Sequence, residues 1–485
     1  ASAGVDITTG ADNTLIGSAA GDALTVGNSN VAIGKDALTT DTKGDRNVAI
    51  GNAALGTQNF PTTTDAYNTA VGYAAGNNVT TGRSNTLIGG KAGDALTDAD
   101  YNVAIGTDAL TADTLGSNSV AVGVGALYTQ NFTTATNAYN VAVGRSAGLS
   151  VTTGIQNTLI GGLAGDALTD ADWNVAVGTS ALGADTLGSR SVAIGNNALS
   201  TQNFTTATAS YNTAVGYSAG VSVSTGTENT LIGGLAGDAL TDADLNVAVG
   251  YLALSSDTLG SASTAIGRAA LFSQNFTTAT VSYNTAVGYG AGSSISTGVQ
   301  NTLIGGLVGD GLTTGDLNTK IGYNIQESAV GVDAAIALGN NFTDAGANTV
   351  RIGTAGGNAT LNLDGSDTSW AAASDSRLKK DIANSTVGLA FIKDLRPVTF
   401  KWNAKDAVAN SLPQYDADST DPVYGEGKAH HGFIAQEVKT VIDAHSDVVN
   451  GHNLWSKDPD GTQQVSPSAL VPMLVKAIQE QNALI

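Results

Sequence analysis

The residues with the clearest chemical potential lie in the run Ser374-Asp375-Ser376-Arg377-Leu378-Lys379-Lys380. A serine hydroxyl is a poor nucleophile until a base removes its proton. Lysine can be that base when burial lowers its pKa, and Ser-Lys pairs are a known variant of the Ser-His scheme. Lys379 stands five residues after Ser374, so a bent loop can join the two. Lys380 competes for the same role, and Asp375 and Arg377 are placed to position the loop. A serine and a lysine at this distance carry no weight by themselves, so the reading rests on the pattern around them.

Three other sets of residues could do chemistry. All four histidines, His430, His431, His445 and His452, follow residue 374. Glu426 precedes His430 by four positions, a helical ligand spacing, but Gly425 and Gly427 flank it and oppose a helix. No metal or other cofactor is expected. With no cysteine there is no thiolate metal site, cysteine nucleophile or disulfide. Asp22, Asp94, Asp166, Asp238 and Asp310 recur every 72 residues. A glycosidase needs one pair of carboxylates in one cleft, whereas a column of acids is structural or repetitively binding. Finally, Gln58-Asn59-Phe60, Gln130-Asn131-Phe132, Gln202-Asn203-Phe204 and Gln274-Asn275-Phe276 each lead to a tyrosine: Tyr67, Tyr139, Tyr211 and Tyr283. Aromatic rings beside amides suit sugar stacking and hydrogen bonding. The alternative is that each Phe folds back to cover its own coil.

The elements that must position these residues follow from composition and period. The chain has 485 residues, of which 13% are charged, against about 25% in ordinary domains. Its net charge of −21 argues against nucleic-acid binding, which needs a basic face. No apolar run is long enough to span a membrane. The first residues lack the basic and apolar regions of a signal peptide, and Ala1 is not Met, which leaves room for chain upstream. Six of the seven prolines also follow residue 374, so two physically different regions meet there.

Before that point the pattern Asn/Ser-x-(Leu/Ala/Lys)-(Ile/Val)-Gly starts at residue 13 and recurs with gaps of 17, 17, 21 and 17, giving 18 copies to residue 318. Such regularity indicates a solenoid, in which each unit stacks only on its neighbours. In Asn174-Val175-Ala176-Val177-Gly178-Thr179-Ser180-Ala181-Leu182, Val175 and Val177 alternate with Ala176 as in a short strand. Their side chains are expected inside. Gly178 ends the strand with a positive φ or a close backbone approach, and Ala181-Leu182 reads as a second inward strand. Stacked at the usual strand spacing, the coils rise roughly 85 Å. The recurrent Asn suits either an amide ladder or a turn residue tolerant of left-handed backbone. A coil this narrow buries little alone, so three are expected to pack side by side.

The repeats, as in Asn47-Val48-Ala49-Ile50-Gly51 and Ser191-Val192-Ala193-Ile194-Gly195, resemble the heads of trimeric autotransporter adhesins. That resemblance covers about residues 13–322 and implies a trimeric parallel β-roll, here with longer coils. Residues 323–373 are expected to form an intertwined β connector. Asn348-Thr349-Val350-Arg351-Ile352-Gly353 echoes the repeat there, and Thr360-Leu361-Asn362-Leu363-Asp364 alternates like a strand.

From residue 374 on, Ser374-Asp375-Ser376-Arg377-Leu378-Lys379-Lys380-Asp381-Ile382, Leu395-Arg396-Pro397-Val398-Thr399-Phe400-Lys401-Trp402, Gly432-Phe433-Ile434-Ala435-Gln436-Glu437-Val438 and Leu470-Val471-Pro472-Met473-Leu474-Val475-Lys476-Ala477-Ile478-Gln479 occur in order. The series resembles the C-terminal intramolecular chaperone of endosialidases and other phage tailspikes and fibres. That family assembles a trimer and then cuts itself off before the Ser of Ser-Asp-x-Arg-x-Lys. The resemblance implies cleavage between Ala373 and Ser374, with Lys379 at the base position and Lys380 outside it.

A helix is expected to start at Pro467 or Pro472. Leu470, Leu474, Ala477, Gln481 and Leu484 trace a stripe that bundles it threefold, and without a cap signal at Ile485 the chain is expected to continue. The fold class is thus mainly β: a trimeric parallel β-solenoid shaft over 1–322, the connector, and a small α+β chaperone over 374–485 that ends in a helix bundle. The function expected is a phage tail fibre or tailspike, a virion protein acting outside the cell. Its partners would be a host surface glycan or outer-membrane receptor and other tail proteins, with no nucleic acid and no membrane insertion. Any enzymatic activity would be a single self-cleavage in the chaperone, not in the shaft. A bacterial trimeric surface adhesin is the alternative, although neither its secretion signal nor its membrane barrel is read here. A polysaccharide depolymerase is the third reading.

Overall fold

The computed structural model describes residues 2–363, 371–372, 376, 379–410, 412, 414–423, 427–448, 453–458 and 461–484. The chain divides into two compact units, residues 1–373 and 374–485.

The first unit is a parallel β-solenoid of about 20 turns. Each coil contributes one three-residue strand, such as Val175–Val177. It pairs with the next coil in strict register: Val175 with Val192, Ala176 with Ala193, Val177 with Ile194. Gly178 closes the strand at φ 135°. A Cβ there would lie 2.4 Å from the Gly195 carbonyl oxygen, so only glycine lets successive coils stack at this corner.

The structure reverses the expected faces of the strand. Ala176, and Leu159 at the equivalent place one coil earlier, are fully buried, while Val175 and Val177 are only half-buried. A three-residue strand sends its first and third side chains to one face and its second to the other. The interior is filled from the turns, by Leu168, Ala181, Leu182 and Leu199, all fully buried, and little room remains beside them. Valine and isoleucine therefore form an outer apolar column, on which Ile88, Ile160, Ile232 and Ile304 are 37–39% exposed. Ala181-Leu182 is a turn and not a second strand, with Leu182 left-handed at φ 52°. Second strands occur only beside the 21-residue coils, as where Gly188–Ser189 pairs with Thr208–Ala209 in parallel.

The recurrent asparagines build the amide ladder. Asn174 is fully buried. Its amide nitrogen Nδ2 donates to the Gly188 carbonyl at 2.9 Å, and its Oδ1 accepts the backbone N–H of Ser191 at 2.9 Å. The left-handed residue is the one before it, Trp173 at φ 57°. Each asparagine thus satisfies backbone groups of its own and the next coil that water cannot reach.

The parallel stack continues past residue 322. Strands lengthen to eight residues, Thr319–Gln326 and Ile336–Thr343, and Gly322, Gly339 and Gly353 stay in line. Thr349–Thr354 is the last parallel strand, and Gly357–Asn362 turns back antiparallel to it.

The second unit is α+β. Helices α1 (Leu389–Asp394), α2 (Ala435–Ala444) and α3 (Val471–Asn482) accompany two short antiparallel pairs. These pairs are Val398–Phe400 with His430–Gly432 and Trp455–Lys457 with Gln463–Val465. Its core gathers Phe391, Leu395, Val438, Ile442, Leu454 and Leu470.

Candidate functional site

The run Ser374–Lys380 opens the second unit. Ala373, Ser374, Asp375 and Arg377 lie outside the described residues. Lys379 and Lys380 are exposed, and the Lys379 backbone N–H donates to the Ser376 carbonyl at 3.2 Å.

The body behind the motif is tied by specific polar contacts. Glu480 on α3 accepts the Leu389 backbone N–H at 2.8 Å, in the first turn of α1. Arg396 pairs with Glu437 through two hydrogen bonds. The stripe expected on the last helix divides between two faces. Leu470 and Ala477 are buried in the unit's own core, whereas Val471, Leu474, Val475 and Ile478 are exposed. Pro467 opens a 3-10 turn, and Pro472 sits in the first turn of α3.

The histidines are placed by packing. His430 lies beside the Phe400 ring, with centroids 5.7 Å apart. His445 Nε2 is 2.8 Å from Asp394, and its ring meets Phe391 edge-on. His431 lies on the strand with His430. His452 and Glu426 fall outside the described residues. Among the described residues, no three acidic, histidine or cysteine groups are clustered to hold a metal.

On the shaft, Phe60, Phe132, Phe204 and Phe276 are turned inward and 3–6% exposed. Asn59, Asn131, Asn203 and Asn275 are exposed, as are Tyr67, Tyr139, Tyr211 and Tyr283. A ligand touching these loops meets the amides and tyrosines. Arg190 lies over the Trp173 ring at 4.4 Å and the Tyr211 ring at 5.8 Å, forming a cation–aromatic stack on this surface. The acid columns make structural contacts: Asp22 and Asp94 accept hydroxyl hydrogen bonds from Thr39 and Thr111, and Asp238 from Ser255, each one coil on.

Two features were missed in the sequence reading. Asp41, Asp113, Asp185 and Asp257 are buried carboxylates, one per superrepeat. Asp185 accepts from Gln202 Nε2 at 2.6 Å and from the backbone N–H groups of Gly188 and Phe204. Burial pushes the carboxyls of Asp41, Asp113 and Asp185 up, against the lowering effect of these bonds. Their 72-residue recurrence was the available signal. The second is a buried ionic group, Lys320 with Glu327 and Asp344. Its signal is a lysine at the inward position of Asn318-Thr319-Lys320-Ile321-Gly322, where other coils carry Ala or Leu.

Fold and motif together define a class: a parallel β-solenoid followed by a separate α+β unit. Comparison with family models narrows the second part. Residues 374–447 match the family described as the chaperone of endosialidase, and the match begins at the first residue of the second unit. No curated protein matches the chain, and no solved structure matches it. Among the described residues, no helix is long and apolar enough to cross a membrane.

Proposed function

We propose that this protein is a trimeric phage tail fibre or tailspike that recognises a host surface through its solenoid. Its C-terminal unit would act as an intramolecular chaperone and cut itself off before Ser374. The observation that carries this reading is the chaperone-of-endosialidase match, which begins at the boundary behind the long β-solenoid.

Two surfaces support the trimer. The Val and Ile of the repeat form an in-register apolar column on the outside of a single chain. An unbroken apolar column on the outside marks an interaction surface, and two further copies of the chain would cover it. On α3, Val471, Val475 and Ile478 offer a second apolar face, suited to a helix bundle. Three repetitive chains can pair in many shifted registers, so a trimeric shaft is slow to align correctly, and a detachable assembly unit answers that difficulty. The Asn and Tyr of the 21-residue coils are the proposed receptor contacts, because insertions in a solenoid collect on one face.

Light scattering should give three times the chain mass, and denaturing gels should give a released fragment of about 12 kDa at ordinary residue mass. Ser374→Ala should keep the trimer and abolish the fragment. Lys379→Ala should do the same, since without a base the hydroxyl keeps its proton. A monomeric wild type would refute the assembly. Loss of the trimer in Ser374→Ala would refute the order of events, and a wild-type trimer that never yields the fragment would refute the cleavage.

A further inference from the structure

The end of the solenoid holds three charged side chains in an otherwise apolar column. Lys320 occupies the inward strand position, between Leu303 of the preceding coil and Ala337 of the next. Its side chain is fully buried, as is that of Asp344, and Glu327 is 4% exposed. Lys320 Nζ lies 2.7 Å from Asp344 Oδ2 and 3.0 Å from Glu327 Oε1. The other Asp344 oxygen, Oδ1, accepts the backbone N–H groups of Ser328 at 2.9 Å and Gly346 at 3.2 Å. Glu327 Oε2 is held by the Gly311 N–H at 3.0 Å.

A buried ion pair is expensive to desolvate and is often no more stabilising than apolar residues of the same size. Neighbouring coils fill this place with Ala or Leu, so packing does not require the charges. The arrangement does have what an amine needs to acylate itself: a nucleophile against a carboxyl group, two amides on the oxygen that gains charge, and a second carboxylate in reach of the proton.

We propose that Lys320 and Asp344 condense to an intramolecular isopeptide bond, with Glu327 as the proton carrier. Glu327 takes a proton from the Lys320 ammonium. That proton passes to Asp344 Oδ2, which makes the carboxyl a neutral acid, and the freed nitrogen lone pair then attacks Cγ and forms the new N–C bond. Oδ1 carries the negative charge of the adduct against the Ser328 and Gly346 amides, as in an oxyanion hole. Glu327 then carries a second proton from the same nitrogen to Oδ2. The Cγ–Oδ2 bond breaks, and its electron pair leaves with the oxygen as water. The amide keeps one hydrogen on nitrogen, Glu327 returns to its starting state, and no oxidant or cofactor is needed. Burial pushes the Glu327 carboxyl up, which suits a group that must hold a proton briefly. Burial also raises Asp344, but hydrogen bonds from Lys320 and Ser328 more than offset this and hold its carboxyl below the usual value, so it begins as the carboxylate.

The product would join the strand Thr319–Gln326 to the turn after Ile336–Thr343 and staple the end of the regular stack. The test is the intact mass of the purified, denatured full chain, or of its N-terminal product if it is cut before Ser374. The expected mass is one water below the sequence mass in most molecules. Trypsin should fail to cut after Lys320 and should release a branched peptide containing Lys320 and Asp344. Glu327→Gln should restore the full mass in a chain that keeps its β-sheet circular dichroism. Asp344→Asn should still close, losing ammonia, and reach the same final mass as the wild type. Wild-type chain at its full sequence mass, or free cleavage after Lys320, would overturn the proposal. So would a water loss that persists in Lys320→Arg, because the dehydration would then lie elsewhere.

Discussion

In the shaft, coils are held by backbone and asparagine bonds to neighbours 17 or 21 residues away, and the same 17-residue bonds recur one superrepeat later. In the C-terminal unit the holding contacts are single and specific, such as Glu480 on the Leu389 amide and Arg396 on Glu437. Substitutions in a repetitive stack should cost the same at equivalent positions, because its stability is close to a sum of unit and interface terms. Substitutions in the other unit have no equivalent position to share their cost.

The largest expected effect comes from the interior of a coil. Ala176→Asp places a charge among fully buried Ala and Leu side chains. An unpartnered buried charge costs about 3–5 kcal/mol, so the flanking coils should lose protection in hydrogen exchange. Val177→Asp, one residue on, points to the opposite face. It should leave the β-sheet signal of the single chain intact and lower the trimer fraction in light scattering. Equal damage to folding from both would refute the assignment of faces.

The ladder comes next. Asn102→Ala, Asn174→Ala and Asn246→Ala each remove a donor from a buried glycine carbonyl and an acceptor from a buried serine N–H. A buried polar group left unpaired costs about 1–3 kcal/mol. The three variants should show the same loss of stability in denaturant titration. Unequal losses would mean that the coils are not interchangeable units.

These variants also separate what was legible in the sequence from what was not. The spacing of Asn and Gly reported the coil length because both residues are required by the backbone. Gly178 would collide with Gly195 if it had a Cβ, and Asn174 bridges two coils. The direction of the strand was not legible, since Val-Ala-Val alternates equally well with either face inward, and both faces are apolar. The left-handed Leu182 and the inward Phe204 were hidden for a related reason: both are placed by the filling of a narrow core and not by local preference. The roles proposed for Ser374 and Lys379 rest on the series of motifs around them, since the pair by itself carries no signal. Lys320 passed as one more variant of a strand position expected to face outward, and its partners Glu327 and Asp344 come from segments that only the coil brings near.

Acid should move the two regions in opposite directions. In the shaft, burial raises Asp41, Asp113 and Asp185 above the ordinary 3.8. A raised folded-state carboxyl favours the protonated fold, so its contribution is full below 3.8 and fades as pH rises through the folded value. Asp344, which is lowered, opposes this within the same unit for as long as it remains a free carboxyl. In the C-terminal unit the Arg396 hydrogen bond lowers Glu437, and the Leu389 amide lowers Glu480, both from 4.5. Their contribution is present above 4.5 and is lost as pH falls through the folded values. Melting followed from neutral pH to well below 4.5 should separate the two transitions, with the C-terminal one falling as pH drops through the lowered values of Glu437 and Glu480. A shaft transition that falls in parallel with it would remove the distinction.

The smallest expected effect isolates one of those contacts. Glu480→Gln keeps a side-chain oxygen able to accept the Leu389 N–H but removes the charge at the first turn of α1. Glu480 is partly exposed and also meets Lys476, so solvent already screens that charge. At neutral pH the C-terminal unit should melt almost where the wild type does, with a smaller change than Asn174→Ala brings to the shaft. In acid the variant should lose part of the decline expected for the wild type, because one lowered carboxyl is gone and, among the described residues of this unit, Glu437 is the one still held below its ordinary value. Glu480→Ala removes the acceptor as well and should lower the melting point at both pH values. If Gln and Ala behave alike at neutral pH, the hydrogen bond to Leu389 contributes nothing. If Gln leaves the acid decline unchanged, the pH response of this unit comes from groups other than the contact between α3 and α1.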